Sequence, residues 1–511
     1  MKYKHLWSDM HSNIHHNQMN QLMDWYRHAK QIMDFWPIAY YPFGIRFTET
    51  GAELEDLQSA AALEKDWQQI LELAKLARAE GWPLFPGYEW QGNGSDGDHN
   101  VFFPGTEGPM VHPMLYRDLR DQLKPLDAIA IPHHVAYQPG SRGKNWSTHD
   151  TEFSPFAEIY SSHGCSENDQ NHLVMERHEH MGPRTDVTSY EAGLNAGLTV
   201  GCIASGDNHS VPGEADHGMM CVLSPSRDPR DIWQSLKARR VYGVSHSRME
   251  LDFRMDDDCM GSVTTPGSKI LTVDVKAANA IDRIELLKDN ILETMFVHSG
   301  TWERKALPET FRFKFELEFG WGPEVKIFPE AAKKEWDVTL QTPGKLLDVE
   351  PLWNSFGQEI LKRTDNSCHF HLTSHRATET GKWMGPSNVR REAMIFEVEG
   401  TMEDVLNLRV DGREYLLAVS DLLKGTRIYA QYAECEQKIT EKFGPTPHYR
   451  DDFIWHCSFK FRAKKAAPET AYRFHREVPM ELEAGSQYRL RVWLKNGDTA
   501  WTSPIFCRES K

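Results

Sequence analysis

The chain has 511 residues, more than one hydrophobic core usually supports, so two or three domains are expected. Hydrophobic residues make up 40% and charged residues 26%, an ordinary soluble balance, and the formal charge is -16, from 74 acids against 58 bases. That charge argues against a phosphate-backbone binder, no apolar run approaches bilayer length, and residues 1–9 carry no apolar signal region, so the expectation is no nucleic acid, no membrane and a cytoplasmic location.

In chain order, residues 3–10 read as a short strand. Leu22, Met23, Tyr26, Ala29, Ile32 and Met33 form a helical stripe over 18–33, and 34–41 reads as a second strand. The clearest helix is 53–80, from Leu54 through Trp67 to Leu76, stopped by Gly81 and Pro83. Strands follow at 83–89, 100–104, 127–132 and 156–160. A helix at 186–196 precedes a strand at 199–204, and a last helix covers 228–239. Strand then helix, repeated, predicts an α/β fold with parallel strands. Beyond residue 250 the pattern turns to strands, at 270–275, 281–287, 311–319, 393–398, 415–419 and 488–494, with only a short helix at 420–424. This gives a barrel-type domain over 1–250 and a β-sandwich-like region over 251–511, of one or two modules. Its Trp493 and Trp501 are expected to fill its core. Eight cysteines, Cys165, Cys202, Cys221, Cys259, Cys368, Cys435, Cys457 and Cys507, form no CxxC pair and read as buried, reduced thiols.

Metal-ligand residue types recur at the polar ends of apolar runs. The clusters are Asp9-Met10-His11-Ser12-Asn13, Gly87-Tyr88-Glu89, Ile131-Pro132-His133-His134, Glu158 to Cys165 with His163, and Ser205-Gly206-Asp207-Asn208-His209. A single histidine after a strand is usually a surface or hydrogen-bonded residue, so the repetition carries the signal. Ligands from so many strand ends converge most readily at the mouth of a barrel. His133 and His134 are adjacent and face opposite ways in a strand, so only one of them is expected to be a ligand. If 207–209 stays extended, Asp207 and His209 leave the same face. His172, His178 and His180 read as loop or helix-surface residues. Cys368, His369 and His371 lack partners at a zinc spacing, and strand alternation explains them.

Taken in order, these segments resemble the PHP (polymerase and histidinol phosphatase) superfamily of metal-dependent hydrolases, nearest its carbaryl and aryl-carbamate hydrolase branch. The matching stretches are Trp7-Ser8-Asp9-Met10-His11, Gly87-Tyr88-Glu89-Trp90, Asp98-His99-Asn100-Val101-Phe102-Phe103, Ile131-Pro132-His133-His134, Glu158 to Gly164 and Ala204 to His209. The likeness continues through 236–242 to Arg248 and Met260-Gly261, with a weaker echo at 496–504. It implies a distorted (β/α)7 barrel with metals at the C-terminal strand ends. His11 matches the first ligand of an HxH pair and Glu89 a bridging acid. His133 or His134 matches a ligand of a second metal, together with His163, and Asp207 and His209 match a closing Asp-x-His pair. The second histidine of the HxH pair is Asn13 here, and the family's Asp-His after the second strand falls on Tyr40 and Tyr41. One or two divalent ions (Zn, Mn or Fe) are therefore expected instead of three.

The functional expectation is a hydrolase whose metal-bound hydroxide cleaves an ester, amide or carbamate bond of a small organic substrate. Asp207 or Glu89 would take the proton from water, and His99 or Tyr41 would stabilise the oxyanion. Asn13, Tyr40 and Arg248 are expected against substrate. A phosphoesterase is the alternative, with Arg248 and Lys144 as its cations. A non-catalytic binding protein on the same scaffold is the third reading. The β-rich half would cap the barrel or build a homo-oligomer interface.

Overall fold

The strand Trp36–Tyr41 is buried at every position, as a strand covered on both faces must be. In the computed structural model it lies between two parallel neighbours, Asn13–His15 and Leu84–Trp90. The structure describes residues 3–47, 53–173, 175, 181–297, 306–323, 325, 327–375, 391–445 and 452–509. His178 and His180 lie outside them.

The parallel run then ends. Leu84–Trp90 pairs antiparallel with His99–Phe102, which pairs antiparallel with Ile129–Pro132. Phe156–Ser161 and Gly201–Ala204 form a separate parallel pair. Lys4–Ser8 begins a third sheet with Met219–Ser224 and Val241–Val244. The fold is mixed α/β, rich in strands and poor in helices. Among the described residues no closed barrel forms, because the direct turn from strand to antiparallel strand at 90–99 interrupts the strand–helix repeat that closure needs. One core nevertheless unites the sheets. Leu6, Phe85, Phe102, Ile131, Phe156, Ile203, Met220 and Val241 share a buried cluster.

The chain divides into two compact units. The first comprises Met1–Lys276, Asp282–Val297 and Phe474–Lys511, the second Ala277–Ile281 and His298–Arg473. The return of the C-terminus to the first unit follows from pairing, since Val241–Val244 takes Thr499–Thr502 as a neighbour. Trp493 and Trp501 therefore pack in the first unit, where their indole N–H groups donate to Glu285 and Glu167. The second unit holds two antiparallel sheets whose aromatic rings meet, Phe319 against Trp336 and Phe370 against Phe396. It also carries the helix Tyr432–Phe443, which the strand-rich pattern did not predict. On the strand Ser367–His375, Cys368 is buried, while His369 bonds Asp337 on the exposed face, as alternation requires.

Two of the expected helices, 18–33 and 53–80, begin later than the periodicity suggests. A 3-10 turn, His16–Gln21, precedes the helix Leu22–Ile32. Glu53–Leu57 pairs with Phe43–Phe47 as a hairpin before the helix Ala60–Ala79 starts on the Ser59 cap. All eight cysteines are free and buried. Among the described residues no helix is long and apolar enough to cross a membrane.

Candidate metal centre

Asp9, fully buried after the first strand, ties two distant loops together. Its Oδ1 accepts from the backbone N–H groups of His11 (2.9 Å) and Gly206 (2.8 Å), and its Oδ2 accepts from Gly213 (2.9 Å). A side chain at 206 would place Cβ 2.8 Å from Asp9 Oδ2 and 3.1 Å from the His11 carbonyl, so only glycine fits there. The Asp207 N–H then donates to the His11 carbonyl at 2.6 Å. Asp207 and His134 both have positive φ, +46° and +34°. Non-glycine residues adopt that region at a cost of about 1–3 kcal/mol, and such strain collects at functional sites.

Eight buried side chains converge. Their ligand atoms fall into four groups: His11, Glu89 and His133; Asp98, His133 and His134; His134, His163 and Asp207; and His11, Glu158 and Asp207. Each group shares one residue with the next, so the four close into a ring. His11 is central. Its Nδ1 lies 2.8 Å from Glu158 Oε2, and its Nε2 lies 3.2 Å from Asp207 Oδ1 and 3.5 Å from Glu89 Oε2. His163 Nε2 is 3.2 Å from Asp207 Oδ2, while its Nδ1 shares a 2.7 Å hydrogen bond with the Tyr137 hydroxyl. Asn13 Nδ2 donates to Glu89 Oε2 at 3.0 Å.

The electrostatics show what this set lacks. Burial pushes the Asp207 carboxyl well above the ordinary carboxylate range, against the pull of His11 and with added repulsion from Glu158, Glu89 and Asp98. Burial would lower His11, but Asp207 and Glu158 hold it well above the usual imidazole value. His133 is driven well below that value by burial, then by His11 and His134. Both ring nitrogens of His133, Glu158 Oε1 and Asp207 Oδ2 are buried without a hydrogen bond. Native proteins rarely leave buried polar atoms so. Imidazole nitrogens and carboxylate oxygens turned toward one another suit a divalent cation.

His11, Glu89, His133, His134, His163 and Asp207 meet as the strand ends suggest. His133 and His134 both reach the ring of groups. The strand stops at Pro132, and the left-handed backbone of His134 cancels the alternation that would have turned one of them away. His209 lies outside the four groups. The positive φ of Asp207 breaks the extended path, and the His209 ring sits instead on His15 (nitrogens 2.5 Å apart) and on Tyr41.

His99 does not present a free donor. Its Nδ1–H donates to the Gly97 carbonyl (2.9 Å), its Nε2 faces Lys144 Nζ (3.3 Å), and its ring stacks on Tyr116. Tyr41 reaches the cluster through Gln91, whose amide touches the Tyr41 hydroxyl at 3.2 Å and Glu89 Oε1 at 3.1 Å. Tyr40 points elsewhere, donating to Asp66. Arg248 donates to the Ile32 carbonyl and covers Trp7, and Lys144 is buried over Tyr116. Asp98 and Glu158 are members of the site that the sequence reading quoted but gave no role. Their signal was present: Glu158 is an acid inside the apolar strand Phe156–Ser161, and Asp98 abuts the buried strand His99–Phe102.

The chain matches no family model and no curated protein. Among solved structures it is similar to a two-domain protein containing a predicted PHP-like metal-dependent phosphoesterase from Bacteroides vulgatus ATCC 8482. That likeness is 11% identical, covers 81% of this chain and 95% of the other, and has a TM-score of 0.33.

Proposed function

We propose that this chain is a metal-dependent hydrolase of the PHP type, acting on an ester, amide or carbamate bond of a small organic substrate. One observation carries the reading: a closed ring of eight buried imidazoles and carboxylates in which both ring nitrogens of His133, Glu158 Oε1 and Asp207 Oδ2 have no hydrogen bond. The group of His11, Glu89 and His133 and that of His134, His163 and Asp207 share no residue, so the chain holds enough ligands for two ions at once. The ordered run of sequence clusters supports the PHP assignment.

A bound divalent cation lowers the pKa of water and polarises a carbonyl or phosphoryl oxygen. The chain supplies the rest. Glu89 and Asp207 offer carboxylate oxygens that accept the proton of the attacking water. Glu158 fixes the His11 ring, and Tyr137 fixes His163, as partners of ligating histidines do. Asn13 keeps Glu89 in place, and Tyr41 sits one amide away from it, where its hydroxyl would donate to the oxyanion. Burial excludes bulk water from the ring of ligands.

A phosphoesterase is the second reading, and Arg142 favours it. Its guanidinium lies 3.1 Å from Asp98 Oδ2 on a partly exposed side chain. A phosphate needs such a group. Assays of aryl esters, carbamates and phosphoesters with Mn²⁺ and Zn²⁺ separate the two. Turnover of carbonyl esters that disappears with chelator and returns with metal supports the first reading. Turnover of phosphoesters alone supports the second, and no metal-dependent turnover of any of them contradicts both.

A further inference from the structure

An open groove of about 650 Å³ lies between the turn His16–Gln21 and the helix Ala60–Ala79, apart from the ring of ligands. Its key feature is a buried acid that the proposed chemistry leaves unused. The Asp66 side chain is 2% exposed, and its Oδ2 accepts from the Tyr40 hydroxyl at 2.7 Å and from His16 Nδ1 at 2.6 Å. That oxygen already accepts from Tyr40, so Nδ1 of His16 is the donor to it. The ring is thereby fixed with Nε2 directed away from Asp66, on a side chain that is 42% exposed.

Burying a carboxylate costs desolvation free energy, and an apolar side chain would join turn to helix as well. What Asp66 adds is a set tautomer and angle for His16, the role an acid plays behind a working histidine. The rest of the groove matches a neutral, hydrogen-bonding ligand. Asn17, Asn20, Gln68 and Gln69 both give and take hydrogen bonds, and Lys65 is offset by Glu72. Among the described residues no Phe, Tyr or Trp lines it, which disfavours an aromatic ligand. A single lysine, with Glu72 lining the same groove, disfavours a phosphate.

Along the chain, the groove lies close to the metal centre. The strand Asn13–His15 begins at Asn13, which touches Glu89, and ends next to His16. Three residues of extended chain span about 10 Å, within reach of one small organic molecule.

We propose that this groove is the subsite for an uncharged, hydroxyl-bearing segment of the substrate, with a substrate hydroxyl donating to His16 Nε2. The proposal rests on the hydrolase reading above. Ethyl butyrate and glycerol monobutyrate differ by hydroxyls on the leaving alcohol and serve as probes, with Mn²⁺ or Zn²⁺ present. The wild type is expected to favour the glycerol ester in kcat/KM by about fivefold, the size of one modest hydrogen bond. His16→Ala and Asp66→Asn should each bring that ratio to about one. A wild type without preference, or a ratio unchanged in both variants, overturns the subsite. Calorimetric titration of glycerol monobutyrate into Glu89→Ala separates the subsite from the chemistry. Binding that persists there and is lost in Glu89→Ala/His16→Ala supports the subsite even when neither ester is hydrolysed, an outcome that counts against the ester reading alone. Absent binding, or binding undiminished by His16→Ala, overturns the subsite.

Discussion

Two buried charged clusters in the first unit differ in one respect, whether the charge is answered. Glu167 is wholly buried, yet its oxygens accept from Arg489, Arg491, Asn171 and Trp501. Arg489 reaches on to Glu191, and Arg491 to Glu285. Burial alone would raise the Glu167 carboxyl, but Arg489 and Arg491 hold it at about 2. This cluster is complete and locks the C-terminal strand Gln487–Leu494 to its unit. Among the described residues the ring around His11 holds acids and imidazoles with no arginine at its centre, and the ring nitrogens of His133, Glu158 Oε1 and Asp207 Oδ2 have no hydrogen bond. A satisfied cluster specifies the fold, whereas an unsatisfied one is built for something that binds.

The largest effect that would break this contrast is on turnover. Glu89→Ala should lower kcat by more than ~100-fold, beyond the usual loss from an outer-shell partner. Steady-state assays at saturating Mn²⁺ check this, and near-normal kcat would remove Glu89 from the site. Arg489→Met should act on the other cluster only. Leaving a buried carboxylate short of its partner costs about 3–5 kcal/mol, read by urea denaturation, with metal content unchanged.

The pH dependence sharpens the same comparison. The folded pKa of Glu167 lies below its ordinary value of 4.5, so its stabilisation is present above pH 4.5 and is lost as pH falls toward about 2. Glu167→Gln should flatten the acid limb of the stability curve, measured by thermal denaturation from pH 5 downward (about the window in which the group titrates). Chelation should cost stability through the ring of ligands, about 3–4 kcal/mol if the ion is present at 100–1,000 times its Kd. An unchanged Tm in excess chelator would contradict it.

The smallest effect concerns Lys144, buried over Tyr116 and lowered by that burial to about 7 from 10.5. Between those values the unfolded chain holds more protons, so stability rises with pH through that window. Lys144→Met should abolish that rise and gain about 1 kcal/mol near pH 6, since an apolar replacement for a buried charge is often neutral or stabilising.

The residues that gather around His11 were legible in sequence because each stands where an apolar run stops, and the convergence of Glu89, His133 and His163 needed only that rule. What failed was local backbone geometry. Alternation separated His133 from His134 and joined Asp207 to His209, and a positive φ at His134 and at Asp207 reversed both. Asp98 and Glu158 were quoted without a role because a charged residue in or beside a strand reads as solvated until its burial is known. The parallel strands 36–41 and 84–90 were visible as continuous apolar runs. The antiparallel return at 99–102 was not, since a short strand carries no mark of direction. The pairing of Thr499–Thr502 with Val241–Val244 spans more than half the chain, and no local pattern encodes it.

Metal analysis of the purified protein beside Asp207→Ala tests the central claim most directly. The wild type, loaded with Mn²⁺ or Zn²⁺ and desalted, should retain about one to two ions per chain, and the variant only a small fraction of that. A wild type that retains no metal, or a variant that retains as much, would contradict the proposal that these eight buried side chains exist to hold a cation.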